Sequence, residues 1–202
     1  MKKFVGDLSL QDAELLERYV TRAKAVLEFG VGGSTQIIAQ SIPAGAKFAS
    51  IDTDPSWIDV TRERLGKLGV QDRCHFLRYD GWMPGAMSVS PLFDIIFDDG
   101  VDHLRRAFAL ESWVLLEPGG FMLFHDTRRF GDFVNVAWVM QSYFEEVEEV
   151  YCNQRVDGVS SNISVIKKKA REPYVNWNHS EGKPLWTYGG FGPVPEDFWK
   201  PT

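Results

Sequence analysis

Five short apolar runs, most of them ending in an acid, recur along the chain with helix-like segments between them. This alternation restricts the fold more than any single motif. The runs are AVLEFG, KFASID, CHFLRYD, FDIIFDD and FMLFHD. A strand apolar along its whole length needs cover on both faces, and strands joined by helices run parallel. The predicted fold is therefore α/β, a three-layer sandwich of a mostly parallel sheet between helices.

The intervening segments carry helix signals. LSLQDAELLERYVTRA (8–23) is amphipathic, with Ser9 as N-cap and Asp12 three residues on. STQIIAQSI reads as a helix. DPSWIDVTRERLGKLG has Pro55 in its first turn and Gly69 at its end. HLRRAFALESWVLL and DFVNVAWVMQSYF complete the set. Pro118–Gly120 reads as a turn, and GWMPGAMSVSP (81–91) as a loop shaping specificity. Two late strands, VEEVYCNQRV and SNISVIKKK, flank Asp157 and Gly158 and predict an antiparallel pair.

The character of the chain changes near residue 170. Residues 1–169 form the predicted domain, and 170–202 a Pro/Gly-rich extension carrying Trp177, Trp186, Tyr188, Phe191, Phe198 and Trp199. So many rings predict packing on the domain, on the active-site mouth, or on a second copy in a homo-oligomer.

Length and charge narrow the function. The chain has 202 residues, 44% of them hydrophobic, which suits one domain with an appendage. Its 22 basic and 28 acidic residues leave a net charge of -6, which argues against a broad nucleic-acid face. Lys167–Lys169 and Arg105–Arg106 are the local basic exceptions, most simply read as solvated charge. Cys74 and Cys152 form no CxxC and no disulfide framework. There is no run long enough to span a membrane and no apolar h-region after Lys2 and Lys3, so a cytoplasmic protein is expected.

In a doubly wound sheet, ligands sit at the carboxyl ends of the strands. The first strand delivers Glu28, Gly30, Gly32, Gly33, Ser34 and Thr35 there. The second delivers Asp52, Thr53 and Asp54, and the third Tyr79, Asp80 and Gly81. The fourth delivers Asp98, Asp99, Gly100, Asp102 and His103, and the fifth His125, Asp126 and Thr127. A phosphate loop needs a lysine that GVGGST lacks, and Thr35 stands where GxGxxG would close. Carboxylates suit a ribose and an amine better than a phosphate. Asp52 could accept from two ribose hydroxyls and Asp80 from an adenine amine, while glycines let the backbone approach the ligand.

In these stretches the chain resembles the class I S-adenosylmethionine-dependent methyltransferases. VLEFGVGGST is similar to their glycine-rich motif, FASIDTDPSWIDVTRERL to the motif whose acid binds ribose, and FDIIFDDG and LLEPGGFMLFHDT to the later ones. The resemblance covers about residues 20–168. It implies a seven-stranded Rossmann-like sheet with an antiparallel final strand, and S-adenosylmethionine held by Glu28, Gly30, Gly32, Gly33, Ser34, Asp52, Thr53, Asp80, Gly81 and Asp98. Two departures stand out: Ser34 where the family has a glycine, and an extra Gly33.

DDGVDHLRR followed by HDT is similar to a branch of small-molecule methyltransferases. Some O-methyltransferases of this fold hold a divalent ion through an Asp after the fourth strand and an Asp-Asn pair after the fifth. That resemblance implies Asp99, Asp126 and Thr127 as candidate ligands for an ion such as magnesium, with Thr in the place of Asn. For a hydroxyl acceptor, His103 and Asp99 are the candidate bases, His125 being more simply a structural histidine. Arg105 or Arg106 could meet an acidic substrate. The expected activity is methylation of a small-molecule acceptor, at oxygen before nitrogen, with no nucleic-acid or membrane partner. A catalytically silent cofactor-binding or interaction protein and an aminopropyltransferase are the alternatives. A nicotinamide dehydrogenase is disfavoured, since no Tyr-x-x-x-Lys pair occurs.

Overall fold

The computed structural model describes residues 2–170; the aromatic extension and its predicted packing lie outside the described residues. Helix α1 (Leu10–Val20) starts at the predicted cap. Ser9 Oγ accepts from the Asp12 amide, and the Asp12 carboxylate reaches back to the Ser9 amide. The chain then runs β1 (Ala25–Phe29), α2 (Gly33–Ser41), β2 (Lys47–Asp52), α3 (Pro55–Lys67) and β3 (His75–Arg78). It continues through α4 (Trp82–Val89), β4 (Phe93–Asp98), α5 (Arg105–Ser112), β5 (Leu116–Phe124) and α6 (Phe130–Ser142). Last come β6 (Val147–Tyr151), β7 (Arg155–Val156), β8 (Val159–Ser160) and β9 (Ser164–Lys168).

Seven strands form one sheet in the order β3-β2-β1-β4-β5-β9-β6. Strands β1 to β5 pair in parallel, and β9 runs antiparallel to both neighbours, β5 and β6. The predicted late pair is present: β6 and β9 are its strands. The chain between them bears the β7–β8 ribbon, turned at Asp157 and Gly158, both with positive φ (49° and 82°).

Period-two alternation divides the core. Val26, Phe48, Ile95 and Phe97 pack on α1, α2 and α3, whereas Leu27, Phe29, Ala49 and Ile96 pack on α4, α5 and α6. The apolar strand runs exist because both faces are covered.

Two local expectations are corrected. Residues 82–89 form a helix rather than a loop. Gly81 turns the chain in the left-handed region (φ 66°), Pro84 falls in the first turn where it costs no hydrogen bond, and Trp82 packs edge-on against Phe29 at 5.0 Å. Pro118–Gly120 is not a turn before β5 but an irregularity within it. The β4 pairing jumps from Phe93–Leu116 to Ile95–Phe121, and Gly119 adopts φ 83°.

Of the Lys167–Lys169 run, Lys168 is buried and its neighbours are paired at the surface. Lys167 pairs with Glu148 at 2.9 Å, Lys169 Nζ donates to Glu145 O, and buried Lys168 donates to Trp113 O and Leu116 O. Among the described residues no helix is long and apolar enough to cross a membrane.

The strand order reverses between β1 and β4, and this opens the crevice. Gly30, with φ 92°, donates to Ile51 O, and Asp99 donates to Phe29 O. A Cβ on Gly30 would lie 2.2 Å from Asp99 O, so only glycine lets the two loops close together.

Candidate active site

A cleft of about 640 Å³ lies at that reversal. The glycine turn (Gly30–Ser34), Asp52–Asp54 and Asp99–Val101 line it, with the N-terminal segment (Val5–Leu8) as a further wall. Trp57, Arg64, Arg105 and Asp126 complete it.

Asp52 joins two of these walls. Its Oδ2 accepts from the Val31 amide and its Oδ1 from the Asp54 amide, both at 2.8 Å. Each carboxylate oxygen keeps a second lone pair for a ligand hydroxyl. A Cβ on Gly32 would meet nothing within 4 Å, so the turn presents open backbone to the cleft. Gly33 has a different role. A Cβ there would meet Gly6 Cα at 3.2 Å and the Leu8 and Phe4 side chains at 3.3 Å. The extra glycine admits the N-terminal segment, which Gln36 and Gln40 of α2 grip by hydrogen bonds to Val5 and Lys3.

Glu28 does not reach the cleft. It is fully buried, and its Oε2 accepts from Thr35 Oγ1 (2.7 Å) and Ser50 Oγ (2.5 Å). Thr35 Oγ1 in turn accepts from the Gly32 amide, so Glu28 braces the glycine turn from beneath. Burial pushes its carboxyl up to about 7, against the hydroxyl bonds that work to lower it.

Of the other cofactor candidates, Ser34 and Thr53 line the cleft. Asp80 and Gly81 are exposed at the end of β3, outside its lining. Asp98 lies behind the rim, 1% exposed. Burial holds its carboxyl well above the ordinary range, and it does not line the cleft. His103 is exposed and does not line the cleft, which leaves Asp99 as the candidate base placed there. Burial raises the Asp99 carboxyl, opposed by His125 and Arg105.

Asp99, His125 and Asp126 bring one ligand atom each within 4.8 Å of one another. Thr127 stays outside this cluster: it is 2% exposed, and its Oγ1 bonds with Asn153 and Ser164. His125 Nδ1 lies 3.0 Å from Asp99 Oδ1, and Nε2 lies 3.6 Å from Asp12 Oδ2. Burial works to lower the imidazole, but the neighbouring Asp12 and Asp99 carboxylates outweigh it and push the group up to about 10. His125 is thus a buried cation rather than a base.

Sequence reasoning missed the ion-pair network around this cluster. Arg105, the first residue of α5, is buried rather than solvated. It bonds to Asp99 (2.9 Å), Asp132 (3.0 Å), Asp126 (3.4 Å) and Gly100 O (2.6 Å). Arg129 pairs with Asp126 and Asp132, each at 2.7 Å. Asn162 donates to Asp126 Oδ1 at 2.9 Å, and its amide donates to Asp12 at 2.6 Å. Arg106 lies over the Trp138 ring.

A sheet in this order, with a glycine turn and an acid on adjacent strand ends around one cleft, defines the class I methyltransferase fold. The chain belongs to the O-methyltransferase family, whose model matches residues 7–165. An O-methyltransferase from Bacillus cereus, solved in complex with SAH, superposes with a TM-score of 0.64 at 20% identity, covering 80% of this chain and 83% of that one. TomG of Streptomyces achromogenes, an O-methyltransferase of tomaymycin synthesis solved with SAM, gives 0.63 at 16%, covering 82% and 83%. Ribosomal RNA small subunit methyltransferase H of Mycolicibacterium paratuberculosis is 25% identical over 179 residues, 80% of this chain. The match covers only 44% of that protein's length.

Proposed function

We propose that the chain transfers a methyl group from S-adenosylmethionine to a hydroxyl of a small molecule. The observation that carries this reading is the bond from the Val31 amide to Asp52, which makes the glycine turn and the second-strand acid one continuous wall. SAH and SAM in the two related structures support it. Bound in the cleft, the cofactor supplies a methyl group made electrophilic by a sulfonium charge.

The chain's own residues do the rest. Asp52 accepts the ribose hydroxyls, and the open backbone at Gly32 lies against the methionine part. The acidic rim favours a cationic ligand. Transfer needs the acceptor oxygen about 3 Å from the methyl carbon and in line with its bond to sulfur. Asp99 lines the cleft, and burial makes it a stronger base than an exposed aspartate, so it takes the acceptor's proton.

The likeness to ribosomal RNA methyltransferases favours a second reading, an RNA acceptor. The net charge of -6 and the internal bonding of Lys167–Lys169 weigh against it. Methyl-labelled S-adenosylmethionine, offered with a panel of phenols and sugars and with small ribosomal subunits, separates the two. Label is expected in a hydroxylated small molecule. Label confined to RNA would overturn the proposal.

A further inference from the structure

We infer that the Arg105 guanidinium stands where a divalent ion would bridge Asp99 and Asp126, so that the acceptor site is built to work without a bound metal. As a statement about methyl transfer this rests on the proposed function; as a statement about metal binding it stands alone.

The two carboxylates that would hold an ion are already bonded to permanent cations. Arg105 lies 2.9 Å from Asp99 Oδ1 and 3.4 Å from Asp126 Oδ2, with its side chain 7% exposed. Each of its three guanidinium nitrogens has an acceptor: Gly100 O at Nε, Asp132 and His125 O at Nη1, and Asp99 at Nη2. It cannot swing aside without leaving buried partners unpaired. Arg129 adds a second cation 2.7 Å from Asp126 Oδ2, and Asn162 donates to Oδ1. An ion about 2 Å from both carboxylates would sit beside the largely buried Arg105 guanidinium, and like charges at that range repel. Thr127, the third ligand the resemblance implied, is engaged by Ser164 and Asn153, and the third group that is present, His125, has its Nδ1 already bonded to Asp99. The residues present do not fit a divalent ion.

Arg105 is then a positioning residue. Its planar fork spans Asp99 and Asp132 and keeps the Asp99 carboxylate at the cleft wall.

Manganese titration of the full chain, followed by electron paramagnetic resonance, tests this, with SAH binding measured in parallel. The native chain is expected to bind no manganese below about 1 mM, and Arg105→Ala to bind at least about tenfold more tightly because it removes the guanidinium shared by both carboxylates. Micromolar manganese binding by the native chain that Asp99→Asn abolishes would overturn the inference. That comparison decides the matter even if Arg105→Ala does not fold. A chain that binds neither SAH nor manganese would refute the proposed function and leave the assignment of Arg105 intact.

Discussion

Three glycines of one turn serve three different purposes, and substitution should separate them. At Gly30 a methyl group collides with the Asp99 carbonyl and the backbone has positive φ, so Gly30→Ala should cost more than about 2 kcal/mol of stability. At Gly32 the backbone is extended and a Cβ meets nothing, so Gly32→Ala should fold normally and weaken SAH binding about tenfold. Urea denaturation and calorimetry measure the two; equal stability losses would contradict the assignment. Glu28 adds a pH signature. Its carboxyl is near 7 in the fold against 4.5 in the reference state, so the folded chain binds its proton more tightly. Stability should therefore fall as pH rises from 4.5 to 7, by about 3 kcal/mol from this group, and level off above. Glu28→Gln should flatten that part of the curve relative to the native chain. An unchanged slope would show that Glu28 ionises normally. Glu28 and the glycines could be singled out from sequence because strand, acid and turn are contiguous. The direction in which Glu28 points could not, because Ser50, which bonds it, lies on the neighbouring strand.

Among the elements, α2 does more than close a βα unit. Gln36 and Gln40, one turn apart, bond the backbone of Val5 and Lys3 as a neighbouring strand would. This holds Val5–Leu8 against the cleft. Gln36→Ala removes both bonds to Val5, so hydrogen exchange at the Val5 amide should quicken at least about tenfold. Protection equal to that of the native chain would mean that something else secures the segment. The starts of α1 and α3 were legible because their caps, Ser9 with Asp12 and Asp54 with Pro55, lie within a few residues of each other, whereas α1 ends at Val20, short of the predicted Ala23. Helix α4 was not, because Gly81, Pro84 and Gly85 carry turn signals and the packing of Trp82 on Phe29 is a tertiary effect. The burial of Arg105 was invisible for the same reason, since Asp126 and Asp132 reach it from beyond β5.

For the whole molecule, the order of the strands sets the site. The reversal between β1 and β4 brings the glycine turn, Asp52 and Asp99 into one cleft, although 69 residues separate Gly30 from Asp99. Sequence reasoning placed these groups on a common rim because alternating strands and helices imply a parallel sheet. It could not separate the residues that face the cleft from Asp98, which the sheet encloses. On the proposed function this cleft is a nucleoside site with Asp52 as its ribose acceptor. Calorimetric titration of SAH into the native chain and into Asp52→Ala tests it most directly. Saturable binding by the native chain, weakened at least about fivefold in Asp52→Ala by loss of hydrogen bonds to a charged group, is the predicted result. No heat from millimolar SAH, or equal affinity in the two proteins, would contradict it.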